Sequence, residues 1–128
     1  MIRKALAILA LCSLITVLLV ACGSVGSATN TERNTVHMND TNFVQTSITI
    51  KKGERLKLIS DTLTPHAIAN GTWESGTAHA ARESGAPQVK DVQVDGYSSQ
   101  TFGPFTTAGT FKLYCTVHAG MNLTVVVQ

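Results

Sequence analysis

The sequence predicts an all-β domain of the antiparallel β-sandwich class, and three observations predict it. Apolar residues recur with period two in short runs, the pattern of strands buried on one face. Gly, Pro and Asp clusters punctuate those runs at short intervals. No heptad, no sustained 3.6-residue period and no longer repeat appears, which excludes coiled coils, helical bundles and solenoids. At 128 residues the chain has room for one domain of ordinary size.

At the N-terminus, Arg3 and Lys4 precede an apolar run over residues 5–20, broken only by Ser13 and Thr16. A charged segment followed by an apolar one is the pattern of a signal peptide, and this run is shorter than the ~20 residues of a full membrane span. It ends at Leu19-Val20-Ala21-Cys22, which resembles a bacterial lipoprotein cleavage box. The reading is a signal peptide over residues 1–21 and a lipidated Cys22, whose acyl chains would hold the protein at ~0.8 kcal/mol per buried CH₂. The expected location is the outer face of the cell membrane, or the periplasm. Residues 22–34 are rich in Gly, Ser, Thr and Asn and read as a lipid-anchored flexible linker. The folded domain is expected over residues 35–128.

Within that domain, residues 35–38 and 42–44 are candidates for a first strand. Residues 47–50 place Ile48 and Ile50 on one face. Lys51-Lys52-Gly53-Glu54 then reads as a hairpin-like turn, and residues 55–59 place Leu56 and Leu58 on one face. Residues 71–90 are polar and Ala-rich, have no period, and are interrupted by Gly71, Gly76 and Gly85. They read as a long irregular loop with a short helical turn around residues 77–83. Val92 and Val94 flank Gln93, and Asp95-Gly96 makes a turn. Residues 101–105 form a strand in which Gly103-Pro104 marks an edge or a bulge. Ala108-Gly109 turns into residues 110–115, and residues 123–127 close the chain. Seven or so short strands in ~94 residues make a sandwich.

Charged residues are 14% of the chain, against ~25% in a typical soluble domain. Ten Lys+Arg against eight Asp+Glu leave +2, and Arg3 and Lys4 carry all of that excess. The domain itself is neutral. It is not built for nucleic acid, whose phosphates need clustered cations.

Of the three Cys, Cys12 leaves with the signal peptide and Cys22 carries lipid. Cys115 is then the one thiol of the mature domain, and no internal disulfide can form. Period two puts Phe111, Leu113 and Cys115 on the same, inward face. His118 follows after two residues and Met121 after two more. Singly, a buried Cys behaves as a small hydrophobe and a Met fills core. Together they gather a thiolate, an imidazole and a thioether on one short loop. Soft ligands with imidazole select copper, and a trigonal His₂Cys site with a distant axial Met is the electron-transfer form. That form needs one more His. His66, after Pro65 and before Ala67-Ile68-Ala69, is the natural candidate, and His79 in the irregular stretch is the weaker one. His37 has no partner pattern and reads as structural or exposed. Trp73 reads as an anchor of the 71–90 stretch on the sandwich, or as a docking or near-copper residue.

From Ala108 to Met121 the chain resembles the C-terminal motif of the cupredoxin, or blue copper, family: a Gly turn, an aromatic-rich strand, then Cys, His and Met. The two-residue gap between His118 and Met121 is similar to the short loop of amicyanin, whereas plastocyanin and pseudoazurin have a longer gap. The resemblance covers residues 35–128 and is weak between Gly71 and Gly85. It implies a Greek-key sandwich with one type 1 copper per chain. His66, Cys115 and His118 would be equatorial ligands and Met121 the axial one. It implies outer-sphere electron transfer by a carrier that is not an enzyme. The ring edge of His118 would be the electron exit, set in a small apolar docking patch with Pro65, Ala119 and Gly120. The implied partners are redox proteins, such as a cytochrome or a membrane oxidoreductase, met by a monomer. Many members carry Asn directly after the first His, where its side chain ties the ligand loops together; this chain has Ala67.

The competing reading is an extracytoplasmic copper carrier or chaperone. It would use the same ligands but wants exposed, exchangeable, Met-rich sites, and beyond residue 21 only Met38 and Met121 are present. A copper oxidase or nitrite reductase needs further His clusters, and the chain has no His-x-His pair.

Overall fold

The computed structural model describes residues 33–128; the expected signal peptide, Cys22 and nearly all of the expected linker lie outside the described residues. Among the described residues are nine strands: β1 (Thr35–Met38), β2 (Ser47–Ile50), β3 (Leu56–Ser60), β4 (His66–Glu74), β5 (Thr77–Ala80), β6 (Val92–Val94), β7 (Ser99–Phe102), β8 (Gly109–Cys115) and β9 (Asn122–Val127). One sheet has the order β1-β3-β7. The other has the order β2-β9-β8-β4-β5, with β6 also paired to β4. No helix among the described residues is long and apolar enough to cross a membrane.

Strict alternation builds the core of this all-β sandwich. Leu56, Leu58 and Ser60 of β3 are buried while Lys57 and Ile59 are half-exposed, and Leu123, Val125 and Val127 of β9 are buried in the same way. Leu56, Leu58, Leu123, Val125 and Val127 form one apolar cluster with Val36, Met38, Ile68, Phe102, Phe105, Phe111 and Leu113 of both sheets and their connections. Truncating such a side chain, Leu58→Ala for example, typically costs ~2–5 kcal/mol.

The expectations differ from the structure in pairing more than in strand position. Lys51-Lys52-Gly53-Glu54 is not the turn of a hairpin: β2 pairs with β9 and β3 with β1 and β7, so the turn crosses between sheets. Asp95-Gly96 likewise joins β6 and β7 of different sheets. Two of the pairings, β1 with β3 and β2 with β9, are parallel, so the sheets are mixed. Period two reports which face is buried, not the direction of the neighbouring strand. The predicted 101–105 strand is β7, ending at Phe102 before Gly103-Pro104. Residues 42–44 supply only an isolated bridge between Phe43 and Met38.

The largest difference lies in residues 71–80, which are not loop or helical turn but the end of β4 and all of β5. They form a hairpin turning at Ser75-Gly76, both with positive φ (48° and 79°). Gly71 adopts φ 134°, and a Cβ there would strike the His79 carbonyl and the Tyr114 ring. The glycine that suggested a loop is thus the residue that lets two strands pass closely. Residues 81–91 remain irregular.

Candidate metal centre

Sheet register brings the site together. β4 and β8 run antiparallel with Ile68 opposite Cys115. Side chains alternate along a strand, so His66, two residues before Ile68, shares a face with Cys115. Beyond Cys115 the chain reverses before re-entering as β9. Two backbone bonds close this loop: Cys115 N–H donates to the Met121 carbonyl at 3.0 Å, and Met121 N–H to the His118 carbonyl at 3.2 Å. Gly120 takes the left-handed conformation the reversal needs, φ 81°.

Folded this way, the loop sets His118 Nδ1 3.3 Å from Cys115 Sγ, and His66 Nδ1 lies 3.8 Å from the same sulfur. All three donor atoms lie within 4.8 Å of one another. The two imidazole centroids are 4.9 Å apart, with the rings inclined at 61°. His66 and Cys115 are fully buried, Met121 is buried in the same cluster, and His118 is half-buried.

Burial holds the His66 pKa below its ordinary value, and the neighbouring His118 adds to that effect. The Asn39 carbonyl and the Asp40 carboxylate pull weakly the other way, yet His66 Nε2 is buried without a hydrogen-bond partner that meets full geometry. Burial thus favours the neutral form of the His66 imidazole. Asp40 accepts from the Thr64 hydroxyl at 2.8 Å, and that bond, one from Thr62 and the two imidazoles hold its carboxyl below the usual range.

This donor set fits copper. Two imidazoles and one cysteine sulfur converge, the sulfur 3.3 and 3.8 Å from the two ring nitrogens, and donors this close can share one ion. A buried thioether neighbours them in the chain. Soft sulfur with imidazole is the chemistry that selects copper.

The other predicted residues fall where the register puts them. Pro65, before His66 in the chain, and Ala119 and Gly120, after the half-buried His118, are exposed. His79 does not join the site: on β5 it pairs with Thr72, six residues along β4 from His66, or about 20 Å. His37 is tied to Asp61, Nδ1 to Oδ1 2.8 Å. Sequence reasoning missed Leu63 and Val117, which are 79% and 62% exposed beside His66 and His118 in the chain. It left Trp73 open between a sandwich anchor and a docking or near-copper residue, and it missed Asn122 and the bond that ties Trp73 to Cys115. Ala67 links the two ligand segments through its carbonyl, which accepts from Thr116 N–H at 2.8 Å.

A β-sandwich that buries a cysteine between two imidazoles at one end defines a type 1 copper protein. Residues 30–128 match the sequence profile of the copper binding proteins of the plastocyanin/azurin family, and the chain belongs to that family, with one type 1 copper as its cofactor. Among solved structures it is similar to amicyanin from Paracoccus versutus (Thiobacillus versutus): TM-score 0.56, 20% identity, 73% of this chain and 79% of that one. A mutant of amicyanin in its Cu(I) form gives TM-score 0.57 at 21% identity over 76% of this chain and 83% of that one. At such identities the likeness shows the shared fold. No curated protein sequence gives a match.

Proposed function

We propose that this protein is a single-electron carrier at the outer face of the cell membrane, held there by lipid on Cys22 and passing electrons between redox proteins. His66, Cys115 and His118 are its equatorial copper ligands and Met121 the axial one. The observation that carries this reading is the convergence of His66 Nδ1, Cys115 Sγ and His118 Nδ1 within 4.8 Å at the end of a rigid sandwich.

Copper, when bound, supplies one-electron Cu(II)/Cu(I) chemistry. The chain's contribution is to hold the donors still. His66 is fixed by the β4 ladder, Cys115 by the end of β8, and His118 and Met121 by the two backbone bonds across their loop. A frame that does not move between oxidation states keeps the rearrangement that accompanies transfer small. Burial of His66, Cys115 and Met121 disfavours the ligand exchange a copper chaperone needs. Of the four ligands only His118 reaches the surface, and exposed Ala119, Gly120 and Val117 beside it in the chain, with Pro65 and Leu63 near His66 in the chain, supply the apolar surface of the docking patch. Such a patch suits small, short-lived interfaces, and a neutral domain steers partners weakly.

The test is addition of Cu(II) to the metal-free protein. One equivalent should produce an intense thiolate-to-copper band near ~600 nm; a weak band alone would overturn the ligand set. Mass spectrometry of the native N-terminus tests the anchor, which requires diacylglycerol on Cys22.

A further inference from the structure

We infer that Trp73 is the positioning residue for the Cys115 ligand, in the place where Ala67 offers no side chain to tie the ligand loops. This rests on the ligand set proposed above. The indole Nε1–H donates to the Cys115 carbonyl at 2.8 Å. The Trp73 backbone N–H donates to Asn122 Oδ1 at 2.7 Å, and Asn122 Nδ2 donates back to the Trp73 carbonyl at 2.9 Å. The Trp73 ring meets Tyr114 edge to face, centroids 6.1 Å apart at 84°. One residue thus grips Tyr114 and Cys115, where the ligand loop begins, and Asn122, directly after Met121 where it ends.

The hairpin exists in a form that fixes this grip. Gly71 permits the close passage of β4 against β5 and Tyr114, and Trp73 pairs with Ala78 in the β5 ladder. Trp is suited to the role: its ring is rigid, turns on two torsions and carries one donor and no acceptor. The Cys115 peptide is then bonded on both sides, its N–H to Met121 and its carbonyl to Trp73. A donor on that carbonyl draws electron density from the cysteine, which favours the reduced metal. It also stops the Cys115 backbone from shifting when the charge changes.

Trp73→Phe tests this, because it keeps the aromatic packing and deletes the donor. The variant should still bind copper with the ~600 nm band. Its reduction potential should fall, and its electron self-exchange rate should drop about tenfold, the equivalent of about 1.4 kcal/mol in barrier. In the metal-free variant the Thr116 amide, bonded to the Ala67 carbonyl, should exchange its hydrogen faster. If Trp73→Phe does not fold, Asn122→Asp loosens the same clamp and should move the same three readouts in the same directions. Wild-type potential, self-exchange and Thr116 protection in a folded variant that keeps the band would overturn the inference alone. Absence of the band in the wild-type protein would overturn the ligand set, and this inference with it.

Discussion

The two ends of the sandwich are built on opposite terms. β8 runs from Gly109, opposite Val127, to Cys115 near Asn122, so the metal centre and the β2–β3 turn lie at opposite ends. At the far end Glu54 is a complete local structure. Its carboxylate accepts from Lys51 N–H at 2.8 Å, from Asn34 Nδ2 at 3.0 Å and from Arg33 at 3.0 Å. Gly53 N–H donates to the Phe105 carbonyl, and Phe105 N–H to the Glu54 carbonyl. At the copper end three donor atoms face one another. One end ties its carboxylate into bonds from its own chain; the other leaves three donor atoms converging where a ligand can join them.

The sharpest way to break that comparison is Cys115→Ser. The side chain is fully buried and nearly isosteric, so the all-β circular dichroism should persist. The intense visible band should vanish entirely, because only a thiolate supplies it. Retained colour would mean that the copper end is not built around Cys115.

The two imidazoles should then separate by burial. His66→Gly should lose the type 1 EPR signal for good, since His66 is fully enclosed. His118→Gly should lose it too, but added imidazole should restore it through the rim that Ala119 and Gly120 leave open. His79→Ala should leave the spectrum unchanged. Rescue of the His66 variant and not of the His118 variant would reverse the assignment of exit and anchor.

The copper end was legible in sequence because its chemistry is local. Cys115, His118 and Met121 sit on one loop, and period two in β8 points the thiol inward. His66 was legible because an apolar run follows it. The bond from Asn34 to Glu54 and the clamp of Trp73 on Cys115 and Asn122 were not, because those contacts span 20 residues and more. Glu54 meets Asn34 across 20 positions and Trp73 meets Asn122 across 49. Glycine misled for a physical reason: Gly71 marks either a loop or a close strand crossing, and only the neighbours, Tyr114 and His79, decide which. Strand direction was equally hidden, since alternation is the same in parallel and antiparallel pairs.

If the copper end is incomplete without its ligand, copper should stabilise the fold. A ligand at about 1,000 times its dissociation constant contributes about 4 kcal/mol. At about 4 °C per kcal/mol for a domain of this size, Tm should rise by about 15 °C. Calorimetry with and without copper measures it. Cys115→Ser should lose most of the rise, and Glu54→Gln should keep all of it. An equal loss in both variants would erase the distinction between the two ends.

The smallest effect belongs to the far end and appears as a pH dependence. The Lys51 backbone N–H first, then the Asn34 amide and Arg33, hold the Glu54 carboxyl below its ordinary value of 4.5. A carboxylate whose folded pKa is depressed favours the folded state most above its unfolded pKa. That contribution is lost as pH falls from the unfolded value through the lower folded one. Wild-type stability should therefore decline as pH drops below about 4.5. Glu54→Gln removes the charge. The variant should be less stable at neutral pH and should lack this part of the acid limb, so that the two curves converge at the lowest pH. Urea midpoints of the metal-free proteins from neutral pH downward measure it. Two parallel curves with a constant gap would mean that Glu54 contributes through shape and neutral hydrogen bonds, and that the far end does not depend on its charge.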